Sequence, residues 1–372
     1  MRLLRRRAPL LGVVVPVYNV EKFLPACLDS LLDQTHRDLD VVVVDDGSPD
    51  RSGEIAEQYA ARDRRVRVVH TENRGLGAAR NEGLRHVRGD LLAFFDSDDV
   101  LPPGAYALLR DTLAESGSDF VTASFVRWEN GGYLEPRWMR RLHRERRLGI
   151  TAEDHPEILG DVFAWDKMFR RDFWDRADLR WPESTRYEDQ PTTTAAYLRG
   201  RFDVIPDHVV HWRIHPQVTA ATKHRASEVN LRDRFETKRM ALAVVRAEGS
   251  ATIEQTFLER VLPGDMWRHF LVIPEASEEW WDLLVSGVRE FWGSDSLVNS
   301  GLPPVHRLCG WLVEQGRRDE AAALMSHVAA HPAPLPRATD PATGAVRLDV
   351  PDGLVDLATV DPAALALRPH EL

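Results

Sequence analysis

Cysteine is scarce in this chain of 372 residues, which contains only Cys27 and Cys309 and no CxxC pair. A disulfide framework or a structural zinc site needs more cysteines at closer spacing, so the sequence argues against both. Cys27 falls on the apolar face of a predicted helix. We therefore expect a buried thiol there and a reducing compartment around the protein.

Long apolar runs are also missing, since no stretch of about 18 apolar residues occurs in the chain. We expect no transmembrane segment and a cytoplasmic protein. The basic start at Arg5 to Arg7 precedes a short apolar stretch that Pro9 and Pro16 interrupt, unlike a signal peptide. Two interpretations of these arginines stay open: a solvated lead-in, or a peripheral contact with anionic lipid at the inner face of the membrane.

Positive charge is in deficit, because the formal net charge is -10 and the sequence pI is about 5.8. A protein that binds nucleic acid broadly needs a basic surface, so we expect no nucleic-acid partner. The hydrophobic and charged fractions, 43% and 28%, are those of a globular protein. The length allows more than one domain.

The first hundred residues alternate between apolar runs of strand length and segments with apolar residues at helical spacing. The predicted strands are 11–19, 39–46, 66–70 and 89–99, and the predicted helices are 21–35, 52–63 and 75–87. Nearly continuous apolar strands are typical of a sheet that is covered on both faces. The pattern therefore predicts an α/β fold with a mostly parallel sheet flanked by helices.

The remaining chain is predicted in coarser terms. Helices are expected at 103–116, 151–175 and 187–199, and strands at 119–128 and 202–213. Amphipathic segments between 226 and 331 predict a mainly helical C-terminal region, and the Pro- and Ala-rich stretch after it is assigned no structure. The expected domains are residues 1–225, 226–332 and 333–372.

Polar and acidic residues stand where three of the apolar strands end. These are Tyr18 with Asn19, Asp45 with Asp46, and the run from Asp96 to Asp99. Ligands of open α/β sheets collect outside the carboxyl ends of the strands. Carboxylates gathered there repel one another unless a cation or hydrogen-bond donors compensate them.

The segment "FFDSDD" delivers Asp96 and Asp98 two residues apart at the end of an apolar strand. Hard cations such as Mg²⁺ and Mn²⁺ prefer oxygen ligands and commonly use one or two carboxylates plus substrate phosphates. Such an ion would neutralise charge on a diphosphate leaving group. Taken alone, an acidic turn of this kind is common and equally compatible with no ligand.

Four motifs in order resemble the inverting family-2 glycosyltransferases with the GT-A fold, which bind a nucleotide in a Rossmann-like manner. The motifs are "VVVPVYNVEKFLPACLDSLLDQT", "VVVVDDGSPDRS", "ENRGLGAARNEGL" and "GDLLAFFDSDD". The similarity is dense over about residues 10–105 and thinner through "FAWDKMFRRDFW", "RYEDQP" and "HWRIHPQVTAAT". These later motifs resemble the bacterial branch that modifies wall teichoic acids and other surface polymers.

The resemblance implies a nucleotide site at the first strands. Asp46 would accept the N3–H group of uracil, and Asp45 would support the turn or the ribose. The other residues that it implies are Pro16, Val17 and Tyr18 around the base, and Asn73 and Arg80 facing the base or the diphosphate. For Asp46 the alternative is a capped turn, and for Arg80 it is a surface ion pair.

The resemblance also implies a divalent cation, Mn²⁺ or Mg²⁺. Asp98 would be its main ligand, Asp96 would bind the metal or the ribose, and Asp99 would orient them. His211 is a third candidate ligand, although a lone histidine at a strand end is more often structural.

An inverting transfer needs a general base on the acceptor side. By the resemblance Asp189 is that base, and Glu188 orients the acceptor. The local alternative is that acidic residues are simply favoured in the first turn of a helix. Arg213 and His215 precede a polar loop that would fold over the diphosphate, and Lys167 would face the donor phosphates or the acceptor.

The resulting hypothesis is a metal-dependent inverting glycosyltransferase that moves a hexose or N-acetylhexosamine from a UDP-sugar. The acceptor would be a hydroxyl of a surface polysaccharide, a teichoic-acid-like polymer or a lipid-linked glycan. The basic stretch 137–147 would hold a polyol phosphate or be merely solvated, and the C-terminal region would bind acceptor or form a homo-oligomer.

Two other classes of protein are alternatives to a glycosyltransferase. A sugar nucleotidyltransferase normally shows a glycine-rich loop after its first strand, where this chain has "PVYNVEKF". A non-catalytic nucleotide-sugar-binding scaffold would not need both Asp98 and Asp189.

Overall fold

The computed structural model describes residues 8–214, 225–293, 295–331, 333–339 and 344–371. The chain divides into two compact units. The first unit comprises residues 1–218 and 239–250, and the second comprises residues 219–238 and 251–372.

Nine strands of the described residues form one sheet in the first unit. They are β1 Leu11–Val17, β2 Leu39–Asp46, β3 Val66–Thr71, β4 Leu91–Phe94, β5 Phe120–Glu129, β6 Gly132–Leu134, β7 Arg147–Ile150, β8 Lys167–Arg170 and β9 Phe202–Arg213. Their order across the sheet is β3-β2-β1-β4-β8-β5-β9-β7, with β6 paired to β5.

The sheet is mostly parallel, and one edge of it collects the strand ends. Strand β1 pairs in parallel with β2 and β4, and β2 pairs in parallel with β3. Because β8 is antiparallel to both β4 and β5, these two run in the same direction, and β9 is parallel to β5. The carboxyl ends of β1, β2, β3, β4, β5 and β9 therefore share one edge, called the carboxyl edge below.

Helices cover the apolar strands of the first unit. They are α1 Leu24–Leu32, α2 Ser52–Arg62, α3 Leu76–His86, α4 Ala105–Ser116, α5 Arg137–Leu142, α6 Arg171–Arg176 and α7 Asp189–Arg199. The face of α1 that carries Leu24, Cys27, Leu28 and Leu31 is buried, because these residues recur at the helical period. The expected buried thiol at Cys27 is confirmed, since its exposure is 0%.

The predicted alternation of strands and helices through residue 128 is confirmed, but the predicted helix at 151–175 is wrong. That segment contains a short 3₁₀ turn at Pro156–Gly160, then β8, and only then α6. Strand β8 is inserted between β4 and β5, where Met168 and Phe169 are fully buried. Periodicity cannot separate a short buried strand from a buried helical segment, so pairing with distant strands decided the outcome.

The second unit is mainly helical, as expected. Its helices begin with α8 Glu228–Glu248, whose residues from 239 onward belong to the first unit. The others are α9 Ala251–Thr256, α10 Trp267–Phe270, α11 Glu278–Trp292, α12 Pro304–Glu314, α13 Arg318–Ala330 and α14 Pro362–Leu365. The stretch that was assigned no structure also contains an antiparallel pair, β10 Arg337–Thr339 and β11 Val346–Leu348.

Within the described residues, no helix has both the length and the apolar character that crossing a bilayer requires.

Candidate functional site

Asp46 ends β2 at the carboxyl edge and is only 4% exposed. Its Oδ1 accepts hydrogen bonds from the Thr71 hydroxyl at 3.1 Å and the Arg74 amide at 3.0 Å, and its Oδ2 accepts one from the Gly75 amide at 2.8 Å. Gly75 has φ 91°, a conformation that favours glycine. Asp46 thus holds the loop before α3 in place through hydrogen bonds. Its Oδ2 can still accept one further hydrogen bond.

Asp45 is held by the turn that follows β2 and by β3. Its Oδ1 accepts from the Ser48 amide at 3.1 Å, and its Oδ2 lies 2.9 Å from Nδ1 of His70. The other ring nitrogen of His70 lies 2.9 Å from Glu57. Hydrogen bonds with Glu57 and then with Asp45 raise the pKa of His70, which favours a positive ring beside Asp45.

The residues predicted to surround a nucleotide base differ in exposure. Pro16 and Val17 are buried within β1, whereas Tyr18 is 48% exposed and Asn73 is exposed. Leu76, in the first turn of α3, is 40% exposed and was not singled out from the sequence. The exposure of an apolar side chain beside a glycine turn is what identifies Leu76 as a candidate. The sequence alone does not reveal that exposure.

The carboxylates of the acidic run after β4 differ in their burial and in their hydrogen-bond partners. Asp99 is buried, and its Oδ1 accepts a hydrogen bond from the Arg213 amide at 2.7 Å. Asp96 Oδ1 accepts a hydrogen bond from Nη2 of Arg80 at 2.9 Å. Asp98 receives no side-chain hydrogen bond from any other described residue, and burial and then the charge of Asp96 raise its pKa to about 6.

This donor set fits a hard cation, because Asp96 and Asp98 offer unpaired carboxylate oxygens in a crowded negative site. Across the described ranges, however, no group of three or more His, Cys, Asp or Glu side chains is placed to hold a metal. His211 instead packs its ring against Tyr133, with the centroids 4.5 Å apart. The two carboxylates would therefore need oxygen ligands from a bound substrate.

Arg80 does not lie on an open surface, contrary to the expectation that it faces the base or diphosphate. Its side chain has 0% exposure. Nη2 contacts Asp96 Oδ1 at 2.9 Å, while Nη1 contacts Glu188 Oε1 at 2.9 Å and also Asp189. The guanidinium carbon lies 4.9 Å from the ring centre of Trp181. Arg80 thereby joins the predicted metal carboxylate to the predicted base.

The electrostatics of this cluster favour a base that titrates above the ordinary carboxyl range. Burial raises the pKa of Glu188, and the charge of Asp189 raises it further. Burial also raises the pKa of Asp189, against the opposing charge of Arg80. One arginine faces three carboxylates here, so the cluster holds a proton more readily than isolated carboxyl groups do, which suits a general base.

A close approach of α3 to the segment before α7 makes the cluster possible. A Cβ atom at Gly77 would lie 1.9 Å from the carbonyl oxygen of Pro182, so only glycine allows this contact. Arg80 follows one turn later on α3, and Glu188 and Asp189 follow at the start of α7. The small residue thus brings the two elements together at the carboxyl edge.

The expectation that Lys167 faces the donor phosphates or the acceptor is not met, because its side chain is fully buried. The ammonium lies 3.0 Å from Asp161 and 2.8 Å from Asp166, and it donates to the Phe163 carbonyl at 2.8 Å. Asp161 also accepts hydrogen bonds from Thr122 and from other buried groups. Lys167 therefore neutralises an internal cluster of acids.

Lys167→Met is expected to lower the free energy of unfolding by about 3–5 kcal/mol, because it leaves buried carboxylates without their cation. Urea denaturation of this variant and of Lys22→Met, which changes an exposed lysine in the same way, measures the effect. If Lys167→Met were as stable as the wild type but no longer bound nucleotide, Lys167 would face the ligand after all.

Arg213 and the basic stretch also have structural partners. The Arg213 guanidinium carbon lies 4.8 Å from the ring centre of Trp128 and 5.3 Å from that of Phe23; His215 lies outside the described residues. Within residues 137–147, four arginines pair with glutamates: Arg140 with Glu135, Arg141 with Glu157, Arg146 with Glu115 and Arg147 with Glu145. The interpretation as a solvated face is favoured over a polyanion site.

The chain is similar in sequence to known glycosyltransferases. Residues 12–175 match the protein family described as Glycosyl transferase family 2. EpsJ of Bacillus subtilis, described as an uncharacterized glycosyltransferase, is 32% identical over 236 residues, which are 62% of this chain and 69% of EpsJ. Glycosyltransferase GlyG of Streptococcus pneumoniae is 37% identical over 121 residues, 32% of this chain and 40% of GlyG.

Solved structures give a match over a longer part of the chain. The crystal structure of S. aureus TarS 1-349 in complex with UDP-GlcNAc has a TM-score of 0.69 and 21% sequence identity. The match covers 92% of this chain and 97% of the TarS chain. A likeness at this identity shows a shared fold.

Proposed function

Because the chain belongs to glycosyl transferase family 2, with a GT-A-type fold, we propose that it transfers a hexose or N-acetylhexosamine from a UDP-sugar with inversion. The proposed acceptor is a hydroxyl of a surface polymer or of a lipid-linked glycan. One observation carries the proposal: Arg80 draws together Asp96 from the end of β4 and the Glu188–Asp189 pair from the start of α7. A leaving-group site at Asp96 and a base at Asp189 would thus be adjacent.

The nucleotide would bind where β1, β2 and the loop before α3 meet. Asp46 keeps an acceptor position on Oδ2 for an N–H group of the base, while its other bonds hold the loop rigid. Tyr18 supplies an exposed ring on the neighbouring strand end, suited to packing against a base. The UDP-GlcNAc complex of TarS, which shares the fold, supports a uridine nucleotide as the donor.

The proposed cofactor is Mn²⁺ or Mg²⁺, held by Asp98 and Asp96. When bound, it would neutralise negative charge on the diphosphate leaving group. Arg80 keeps one oxygen of Asp96 occupied and so leaves the other oxygen free to face a ligand. Partial burial of Asp98 and the charge of Asp96 raise the pKa of Asp98 to about 6, so a bound cation is the natural way to keep it ionised.

Asp189 would accept the proton of the acceptor hydroxyl as the new bond to the anomeric carbon forms. Arg80 would hold Asp189 in place and favour its charged form. Glu188 shares the same guanidinium and would orient the acceptor. These two side chains occupy the start of α7, so the rigid helix fixes the base relative to the donor.

Calorimetric titration of UDP, CDP and GDP, each with Mn²⁺ and with chelator, tests the donor site. We expect the protein to bind UDP selectively and only with Mn²⁺, and Asp98→Ala to reduce this affinity by about tenfold or more. Asp172→Ala, which removes an exposed carboxylate from α6, is the matched control. Absence of nucleotide binding by the wild-type protein under all conditions would refute the proposal.

A further inference from the structure

The carboxyl edge of the first unit exposes large apolar side chains at two separate places. Among the described residues of this unit they are Tyr18, Leu76, Tyr133 and Leu134. Tyr18 and Leu76 stand at the proposed nucleotide site. Tyr133 and Leu134 lie on β6, which pairs with the carboxyl-terminal part of β5. Because β4 lies between β1 and β5 in the sheet, the two pairs flank the acidic run on opposite sides.

The second place is an aromatic shelf, formed by Trp128, Tyr133, His211 and Arg213. The Tyr133 ring is 6.1 Å from that of Trp128, with planes 27° apart, and 4.5 Å from that of His211. Arg213 lies over the Trp128 ring at 4.8 Å. Tyr133 remains 56% exposed, so one side of the shelf is open to a ligand.

The ring of His211 adds a polar group to the shelf. It is half-buried, and no side chain of the described ranges is hydrogen-bonded to it. A surface that combines an open aromatic face with a polar ring suits an amphipathic ligand rather than a purely apolar one. A sugar ring is such a ligand, since its C–H face is apolar and its rim carries hydroxyls.

Hydrogen bonds connect the aromatic shelf to the acidic run after β4. Val100 and His211 exchange two backbone hydrogen bonds, at 3.3 and 2.8 Å. The Arg213 amide donates to Asp99 at 2.7 Å. Since Val100 and Asp99 directly follow Asp98, a ligand on the shelf would lie next to the proposed metal carboxylates, on the side away from the nucleotide.

We infer that the aromatic shelf is the subsite that binds a sugar ring of the acceptor, an inference that rests on the proposed function. Direct displacement with inversion requires the acceptor to approach the donor sugar from the side opposite the nucleotide, and the shelf occupies that side of β4. A protein partner is a poorer occupant. Two exposed apolar side chains cover far less area than a stable protein interface, about 800 Å² per partner.

Saturation-transfer NMR with cellotriose and N,N′,N″-triacetylchitotriose, in the presence of saturating UDP and Mn²⁺, tests this subsite. We expect the wild-type protein to bind at least one trisaccharide through its ring protons. Tyr133→Ala should weaken this binding by about tenfold, whereas Tyr133→Phe, which keeps the ring, should retain it. Leu271→Ala is the control, because it removes an exposed apolar side chain that belongs to the second unit and to neither proposed site.

UDP affinity and the midpoint of thermal unfolding report that each variant is folded. Equal trisaccharide binding by Tyr133→Ala and the wild type would overturn the inference. So would a wild-type protein that binds UDP but neither trisaccharide, although the proposed function would then stand. Failure to bind UDP at all would refute the proposed function itself. Self-association that Tyr133→Ala abolishes would reassign the shelf to a contact between copies of the chain.

Discussion

Asp189→Asn is expected to lower turnover by about 10²–10⁴-fold, the usual contribution of a general base. The amide keeps the size of the side chain and can still accept a hydrogen bond from Arg80. It cannot take a proton from the acceptor hydroxyl. Because Asp189 stands at the start of α7, away from the proposed nucleotide site on β1 and β2, UDP affinity should change little. The measurement is kcat for sugar transfer, with UDP affinity determined on the same preparation.

Asp175→Asn is the matched control for this variant. Asp175 is exposed and pairs with Arg171 on α6, so its substitution removes an ion-paired carboxylate outside the cluster. Turnover of Asp175→Asn should remain within about twofold of the wild type, as for surface ion pairs in general. If Asp189→Asn turned over at the wild-type rate, the assignment of the base would be wrong. If it bound UDP normally and only lost turnover, a non-catalytic scaffold would be excluded.

The strand ends of the first unit were predictable because their signal is local. An apolar run such as 41–44 predicts a buried strand by itself, and the acids that follow it must leave the sheet where ligands collect. The structure places Asp45, Asp46 and the run from Asp96 at that edge. Helical spacing similarly predicted the buried face of α1.

The partners of the buried charges were not predictable, because they depend on residues far apart in sequence. Arg80 meets Glu188 across 108 residues and Asp96 across 16. The sequence did show that the negative charges of acids gathered in one crevice need compensation. A metal ion, hydrogen-bond donors or an arginine can each provide it, and the sequence does not tell which of them does. Lys167 illustrates the same limit, since its exposure depends on β8 being inserted between β4 and β5.

Arg80→Met is expected to have the second large effect, since it removes a positive charge that Asp96, Glu188 and Asp189 share. Loss of this guanidinium leaves three carboxylates to repel one another, which costs about 3–5 kcal/mol of folding free energy for a broken buried pair. The charge of Arg80 lowers the pKa of Asp189, so its removal raises that pKa further. A larger fraction of the base is then protonated at any given pH, so kcat should fall and recover at higher pH.

The pH profile of kcat separates this positioning role from a general loss of structure. Arg80→Lys keeps a positive charge but cannot contact three carboxylates at once. We expect it to be folded and to show a smaller shift of the profile in the same direction. Arg85→Met changes an exposed arginine of the same helix, which pairs with Glu82, and should leave the profile unchanged. Wild-type pH profiles in both Arg80 variants would contradict the role assigned to Arg80. Should Arg80→Met not fold, the Arg80→Lys profile decides the question alone, because a purely structural arginine has no reason to move the pH at which the base ionises.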